Sequence, residues 1–284
     1  KFATRSAMDA SPEERAAEYD ARWRSGGAAF MHSFNDLLFN EDSNHTAAAF
    51  VRERIRAIVK DPQTAERLCP KDHPIGTKRI CVDTDYFETF NRPNVQLVSI
   101  RETGGIEITE NGVQAGSQFY PCDVIVLATG FDAISGPLLA MDVRGRGGRS
   151  LRDKWKDGAK EYLGLIGAGF PNLLTITGPG SPSVLSNVVV SIEQHVDFIA
   201  ALLNHMKARN YTCVDASDAA ENDWMAQVSD LAHQTLYPRA NSWYVGANVA
   251  GKPRVFLPFI GVGKYRQICN DIVRDDYRGF VFSN

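Results

Sequence analysis

The first quarter of the chain places apolar residues at helical spacing. Ser11-Pro12-Glu13-Glu14 has the form of a capping box with proline at the first helical position, which predicts a helix to about Arg24, before Gly26-Gly27. A second helix is predicted by one apolar face with spacings of three and four, formed by Ala47, Phe50, Val51, Ile55, Ile58 and Val59. Asp61-Pro62 predicts its end. Residues 1–68 are therefore expected to be helical.

Short apolar runs after Cys69 predict β-strands. Ile106–Thr109 and the residues from Val113 onward flank Asn111-Gly112, the dipeptide that a type I′ hairpin prefers. Val124–Leu127 is apolar throughout, as expected for a strand buried on both faces. Further strands are predicted at Val95–Ile100, Tyr162–Ile166 and Leu173–Thr177.

Helical patterns return in the second half of the chain. One long helix is predicted from about Asn187 to Arg209, with cations at its C-terminal end, where the helix dipole favours them. Another fits Asp218–Leu236, and a loop containing Pro238, Gly246, Gly251 and Pro253 follows. Helices and strands together predict an α/β fold.

Composition narrows the class of protein. The 284 residues include 31 Lys and Arg against 34 Asp and Glu, for a net charge of −3, and 44% are hydrophobic, which excludes a disordered chain. The near-neutral charge argues against nucleic-acid binding, and no apolar run approaches the roughly 18 residues that cross a bilayer. We therefore expect neither a nucleic-acid partner nor a membrane partner.

Five cysteines show no CxxC spacing, and the histidines show no spacing typical of metal sites. Reduced thiols in a reducing compartment are the simplest interpretation, so we expect a cytoplasmic protein without a metal. The chain starts at Lys1 without an initiator methionine, from which we expect a processed chain or part of a longer one.

General cofactor motifs are incomplete. The third glycine of GxGxxG is missing after each GxG, at Gly145/Gly147, Gly167/Gly169, Gly178/Gly180 and Gly261/Gly263. GxxxxGK[ST], HExxH and GxSxG are absent from the sequence. These motifs alone leave the function of the α/β chain undetermined.

Five unusual strings nevertheless occur in order. They are residues 69–79 (CPKDHPIGTKR), 128–133 (ATGFDA), 169–187 (GFPN, GPGSPS and LSN), 191–196 (SIEQHV) and 242–256 (SWY, GAN and GKPRVF). In this order and spacing they resemble the type I Baeyer–Villiger monooxygenases, and the phenylacetone and steroid monooxygenase branch in particular. The resemblance extends from about Arg5 to the end of the chain.

The resemblance implies a flavoprotein fold with two Rossmann-like dinucleotide-binding domains, for FAD and NADP, and a helical insertion. Residues 1–131 would be the C-terminal part of the NADP-binding domain with its helical segment and linker. Residues 132–284 would be the C-terminal part of the FAD-binding domain with a lid loop. The family's glycine motifs precede the matched region, so we expect a C-terminal half whose partner is the missing N-terminal half of the same polypeptide.

The implied reaction uses FAD, NADPH, O₂ and a ketone. NADPH reduces the flavin, the reduced flavin captures O₂ as a C4a-peroxide, and the peroxide attacks the ketone to give an ester or lactone. The catalytic arginine of the family corresponds to Arg79, since a fixed cation stabilises the negative charge that develops. Lys78 would meet the 2′-phosphate of NADPH, on the opposite side of an extended segment from Arg79.

Further site residues follow from the same resemblance. Trp243 would be a lid residue that hydrogen-bonds the nicotinamide nucleotide, and Asn187 and Val188 would lie near the flavin at a helix N-terminus. Thr129, Gly130 and Asp132 would lie close to the cofactor where the two domains cross. The expected substrate-pocket residues are Pro182, Ser183, Val184, Leu185, Tyr237, Tyr244 and Leu257.

Each of these residues also has a plain structural interpretation, as a surface cation, a core aromatic residue or a loop–helix junction. Glu193 and His195 lie two positions apart on a predicted helix and do not share a face, so we interpret both as structural. Two rival functions stay open. One is a flavin monooxygenase that oxidises nitrogen or sulfur, and the other is a non-catalytic fragment that binds a nucleotide or a partner.

Overall fold

The structure is a computed structural model that describes residues 3–182, 186–247, 249–258 and 261–284. The chain divides into two compact units, Lys1–Gly130 and Phe131–Asn284, and this boundary lies one residue from the one expected from the sequence. The assignment of the two parts to an NADP domain and an FAD domain stays a prediction.

Up to Leu68 the regular elements of the first unit are all helices, as predicted, and they are joined by turns. Ser11 caps its first helix: the Ser11 hydroxyl accepts the Glu14 N–H, and the Glu14 carboxylate accepts the Ser11 N–H at 2.9 Å, which confirms the capping box. The helices of this unit are α1 (Pro12–Ser25), α2 (Glu41–Ile58), α3 (Pro62–Leu68), α4 (Tyr86–Thr89) and α5 (Ile100–Thr103). A 3-10 helix, Gly27–His32, follows α1.

An aromatic cluster holds α1 and α2 together. The Tyr19 ring lies 5.4 Å from Phe34 and 5.5 Å from both Phe30 and Phe50, and its hydroxyl pairs with Thr46 at 2.7 Å. Tyr19 is almost fully buried, so this hydrogen bond satisfies its polar end inside the core. The predicted apolar face of α2 is thus confirmed as a packing face.

A three-stranded antiparallel sheet, β1 (Ile106–Thr109), β2 (Gly112–Ala115) and β3 (Gln118–Pro121), follows α5. The predicted hairpin is present, but Thr109 pairs with Gly112, so the turn residues are Glu110 and Asn111 rather than Asn111-Gly112. Glycine is needed at position 112 because a Cβ there would lie 2.2 Å from the Tyr120 carbonyl oxygen of β3.

Two predicted strands of the first unit are wrong. Residues 95–99 form no strand, and α5 begins at Ile100. Val124–Leu127 also lies outside the strands, and Val124 and Val126 are 77% and 83% exposed rather than buried. A strand requires a hydrogen-bonding neighbour, and no described residue pairs with either segment as a strand.

The second unit combines helices with a two-stranded antiparallel sheet. Its elements are α6 (Gly136–Ala140), α7 (Leu151–Lys154), α8 (Val188–Ala208), β4 (Cys213–Ala216), α9 (Asp218–His233), α10 (Gly261–Arg274) and β5 (Phe280–Ser283). The two long helices predicted near Asn187 and Asp218 are confirmed as α8 and α9. Asn187 and Ser217 cap them with their side chains.

The core of this unit contains the apolar run 162–166, but not as a strand. Tyr162 and Ile166 bond to each other across a tight turn in which Leu163 (φ 60°) and Gly164 (φ 71°) are left-handed. Leu173–Thr177 likewise contributes only an isolated bridge from Leu174 to Ile166. The predicted burial of the run 162–166 is correct, but neither run is a strand. The run 162–166 turns back on itself, and Leu173–Thr177 pairs as a strand only at Leu174.

Within the described ranges, no helix has both the length and the apolar character that crossing a bilayer requires. Over the same residues, His, Cys, Asp and Glu side chains form no group of three or more that could hold a metal ion.

Candidate functional site

A cavity of about 490 Å³ lies in the second unit. It is lined mainly by apolar residues, and one continuous segment of its lining, residues 173–178, is called the cavity wall. The other lining residues are Ile134, Leu138, Val188, Trp243 and Leu257. An apolar concave surface with a few polar groups is typical of small-molecule sites.

Backbone and side-chain hydrogen bonds fix the cavity wall from behind. The Thr175 N–H donates to the Leu165 carbonyl at 2.8 Å, and the Gly178 N–H donates to the Gly164 carbonyl at 3.1 Å. The Thr175 hydroxyl donates to Glu161 Oε2 at 2.6 Å. A Cβ on Gly178 would lie 2.1 Å from that same oxygen, so this position tolerates only glycine.

Glu161 is a buried acid, 2% exposed, next to a buried ion pair. Lys154 Nζ lies 2.8 Å from Glu221 Oε1 and also donates to the Ala168 carbonyl at 2.6 Å. Burial raises the pKa of Glu161 to about 8, and the nearby Glu221 carboxylate raises it further, against the Thr175 hydrogen bond and the Lys154 charge. The Lys154 ammonium therefore has two acidic neighbours: the Glu221 carboxylate, and the Glu161 carboxyl group, which is protonated at neutral pH.

A second buried titratable group, His195, supports the wall from α8. The Thr177 N–H donates to His195 Nδ1 at 2.8 Å, and the His195 side chain is fully buried. Burial lowers the pKa of His195 to about 4, so the imidazole is neutral under ordinary conditions. Glu193, by contrast, is exposed on the same helix.

The N-terminus of α8 opens at the cavity. Val188, the first residue of the helix, lines the cavity, and Val188 to Val190 are exposed. Asn187 is the N-cap, and its side chain accepts the Val189 N–H at 3.0 Å. The structure thus assigns Asn187 a capping role and places Val188 at the cavity.

The lid and pocket residues expected from the sequence divide into two groups. Trp243, half-buried in a 3-10 helix (Trp243–Val245), and Leu257 line the cavity. Tyr237, Tyr244 and Pro182 are buried but are not among its lining residues, and Tyr244 instead supports Trp243, with ring centres 4.4 Å apart. Ser183, Val184 and Leu185 lie outside the described residues.

The three residues expected at the domain crossing are exposed. Thr129 and Gly130 end the first unit, and a Cβ on Gly130 would meet no atom within 4 Å. The Asp132 carboxylate forms an ion pair with Lys252, which also donates to the Ala133 carbonyl at 2.6 Å. Asp132 therefore joins the start of the second unit to the loop that carries Trp243.

Lys78 and Arg79 lie in the first unit, directly after an anchored turn. The Asn44 side chain of α2 donates to the Ile75 carbonyl at 2.9 Å and accepts the Ile75 N–H at 3.0 Å. The Thr77 hydroxyl donates to the Pro74 carbonyl at 2.6 Å, which closes the turn. Lys78 is half-buried and Arg79 is exposed. This arrangement places two adjacent cations on a rigid support.

The sequence analysis did not identify Glu161, Lys154 or Glu221, and it interpreted His195 as structural. One signal was present for Glu161, since a carboxyl group directly precedes the apolar run 162–166. The ion pair joins residues 67 positions apart, and no sequence pattern indicates such a contact.

Curated relatives match nearly the whole chain. Cyclopentanone 1,2-monooxygenase from Comamonas sp. is 38% identical over 100% of this chain and 52% of its own length. Phenazine N-monooxygenase PhzNO1 from Lysobacter antibioticus is 39% identical over 97% of this chain and 51% of its own. The chain spans about half the length of the curated relatives it matches. No family model matches the chain.

Solved structures share the fold. An oxidised steroid monooxygenase bound to NADP matches with a TM-score of 0.90 and 45% identity, over 99% of this chain and 53% of its own length. The OTEMO complex with FAD and NADP matches with a TM-score of 0.94 and 39% identity, over 99% and 52%. The fold is thus that of flavoprotein monooxygenases with two dinucleotide-binding domains. Within that class the chain is similar to Baeyer–Villiger monooxygenases over nearly its whole length.

Proposed function

We propose that the protein to which this chain belongs is an FAD- and NADPH-dependent Baeyer–Villiger monooxygenase. It would insert one oxygen atom of O₂ beside the carbonyl of a ketone and release an ester or a lactone. The observation that carries the proposal is the match over nearly the whole chain to ketone monooxygenases such as the cyclopentanone enzyme.

The activity would require further polypeptide that corresponds to the other half of the relatives. Their length supports this proposal, because the chain accounts for only about half of it. The exposure of Val124–Leu127 supports it independently, because an uninterrupted apolar run in water is a surface that another segment normally covers. We propose that strands of this further polypeptide pair with residues 95–99 and 124–127.

The described residues fit the two cofactors that the solved relatives hold. The first turn of α8 presents backbone N–H groups beside an apolar cavity, a surface suited to the flat, polar-edged ring of FAD. Trp243 lines the same cavity, and its indole N–H is a hydrogen-bond donor. Lys78 would take the 2′-phosphate of NADPH, since a lysine ammonium is a compact partner for a phosphate. The bound cofactors would supply the reduction and the oxygen transfer.

Arg79 would be the catalytic residue. The chemistry builds negative charge on the former carbonyl oxygen of the ketone, and a guanidinium held on the anchored turn after Thr77 stabilises such charge without reorganisation. Its planar fork also fixes orientation better than a lysine ammonium does.

Substrate size would be set by side chains at the cavity. Val188, Leu257 and Trp243 line it. Pro182, Ser183, Val184 and Leu185 stay candidates for the same role on the family resemblance alone. Tyr237 and Tyr244 would act indirectly, because they are buried and Tyr244 supports Trp243.

The cell compartment is proposed to be the cytoplasm. The free cysteines of the chain, Cys69, Cys81, Cys122, Cys213 and Cys269, support this proposal, because reduced thiols persist in a reducing environment.

A second candidate function is oxidation of nitrogen, and the phenazine N-monooxygenase among the relatives favours it. Product analysis separates the two. The full-length enzyme is incubated with NADPH, O₂ and either cyclopentanone or phenazine, and the products are identified by mass spectrometry. Formation of the lactone supports the ketone activity, and formation of the N-oxide alone would replace it with the second candidate.

A further inference from the structure

Thr177 holds an unusual backbone conformation in the cavity wall. Its φ is 56°, in the left-handed region that β-branched residues rarely adopt. Thr177 lies between Ile176 and Gly178, and all three residues line the cavity. The shape of the cavity therefore depends on whatever keeps Thr177 in this conformation.

Three backbone N–H groups of this part of the wall donate hydrogen bonds, and one of them donates to a side chain on another element. Backbone bonds hold Thr175 to Leu165 and Gly178 to Gly164. Between them the Thr177 N–H donates to His195 Nδ1 at 2.8 Å. A left-handed β-branched residue persists only where its surroundings fix it, and His195 supplies that restraint at the strained residue itself.

The position of His195 on α8 links the wall to the opening of the cavity. His195 follows Val188 by seven positions, or about two helical turns, so both residues lie on one face of the helix. Val188 lines the cavity, and His195 lies buried behind the wall with its ring 5.6 Å from that of Tyr265. Tyr265 is itself fixed, since its hydroxyl donates to the Leu163 carbonyl at 2.6 Å.

The chemical state of His195 suits an acceptor. A ring nitrogen accepts a hydrogen bond only when it carries no proton, so the bond from Thr177 assigns the proton of the neutral ring to Nε2. The low pKa of about 4 that burial imposes keeps the ring in this state through the neutral range.

We propose that His195 is a positioning residue of the ketone site: by accepting the Thr177 N–H at Nδ1, it holds the left-handed turn that shapes the cavity wall. The proposal rests on the proposed Baeyer–Villiger function for the identity of the ligand. His195 touches neither the ketone nor a cofactor in this account, and its effect passes through Thr177.

Three variants of the full-length enzyme test the role. His195→Asn keeps an acceptor near the position of Nδ1, His195→Gln places its acceptor farther out, near Nε2, and His195→Leu removes the acceptor. Hydrogen–deuterium exchange at the Thr177 amide reports the bond directly. Steady-state kinetics with a ketone separate KM from kcat, and the flavin absorbance per chain reports cofactor retention.

The loss of one buried hydrogen bond predicts an effect of about tenfold. In His195→Gln and His195→Leu the Thr177 amide should exchange about tenfold faster, and the KM for the ketone should rise by a similar factor with flavin content unchanged. His195→Asn should stay close to the wild-type protein in both measurements. If His195→Leu does not fold, the comparison between the Asn and Gln variants decides the question.

Two results would overturn the proposal. One is a folded Gln or Leu variant with wild-type amide exchange and KM, and the other is a folded Asn variant as impaired as the Gln variant. A wild-type enzyme that converts no ketone would refute the proposed function, and with it the assignment of the cavity to a ketone. The amide exchange rates would still show whether His195 fixes Thr177, so the two failures are distinguishable.

Discussion

Replacing Glu161 by glutamine should stabilise the protein at neutral and alkaline pH. The buried Glu161 carboxyl group accepts a hydrogen bond from the Thr175 hydroxyl at 2.6 Å. The buried Lys154–Glu221 ion pair supplies the nearby charges that act on it. Glutamine has nearly the same shape and can still accept that hydrogen bond, but it cannot ionise. The substitution therefore removes the cost of keeping a buried acid protonated in the folded protein while it leaves the packing in place.

The direction and size of this change in the free energy of unfolding follow from the difference between the pKa values of Glu161 in the folded and unfolded states. The pKa of Glu161 is about 8 in the folded protein and an ordinary 4.5 in the unfolded chain. The unfolded chain therefore loses this proton first as the pH rises, so the wild-type protein loses stability between about pH 4.5 and pH 8. The whole interval corresponds to roughly 5 kcal/mol, of which roughly 3 kcal/mol is already lost at pH 7.

The assay is urea unfolding of wild-type and variant full-length protein at pH 5, 7 and 8.5. The stability gained in Glu161→Gln should grow from pH 5 to pH 8.5 by at least 2 kcal/mol, a conservative fraction of the interval above. Glu107→Gln, which changes an exposed glutamate of β1, is the matched control. Equal pH profiles for wild-type protein and Glu161→Gln would refute the interpretation of Glu161 as a buried neutral acid.

Three other substitutions give distinct expected outcomes. Arg79→Ala should abolish ester formation while NADPH still reduces the flavin in stopped-flow absorbance, and ester formation at the wild-type rate would remove Arg79 from the catalytic role. Lys78→Ala should lower the preference for NADPH over NADH, measured as the ratio of kcat/KM values, by about tenfold or more, and an unchanged ratio would contradict the phosphate contact. Lys154→Met leaves the Glu221 carboxylate buried without its close cation, so the free energy of unfolding measured in urea should fall by about 3–5 kcal/mol. The exposed control Lys156→Met should lower it by less than about 0.5 kcal/mol.

Helices with local signals could be predicted from the sequence. The capping box at Ser11 and the apolar face of α2 are contained within one segment each, and the structure confirms both. The same holds for α8 and α9, whose caps lie beside their first turns. Local interactions decide these elements, so a single sequence contains the necessary information.

Strands depend on partners that the local pattern does not specify. Val124–Leu127 has the composition of a buried strand, yet it is exposed and unpaired as a strand within the described part of the chain. Tyr162–Ile166 is buried as predicted, but the left-handed residues Leu163 and Gly164 turn it back on itself. Apolar character predicted the burial of this second run and failed to predict its backbone path.

The candidate site was predicted only in part, for a related reason. Trp243, Leu257 and Val188, which the family resemblance singles out, line one cavity, and their roles toward cofactor and substrate stay predictions. The residues behind the wall, Glu161 and His195, act through contacts between distant segments, and the sequence assigned neither of them a site role. Their roles follow from burial and hydrogen-bond geometry, which only the folded chain shows.

The most direct test of the central claim is oxygen insertion into a ketone by the full-length enzyme under ¹⁸O₂. The purified protein is incubated with NADPH and cyclopentanone, and the product is analysed by gas chromatography and mass spectrometry. The account predicts a lactone that carries one ¹⁸O atom in its ring and an unlabelled carbonyl oxygen. Consumption of NADPH without lactone, or a lactone without the label, would contradict it.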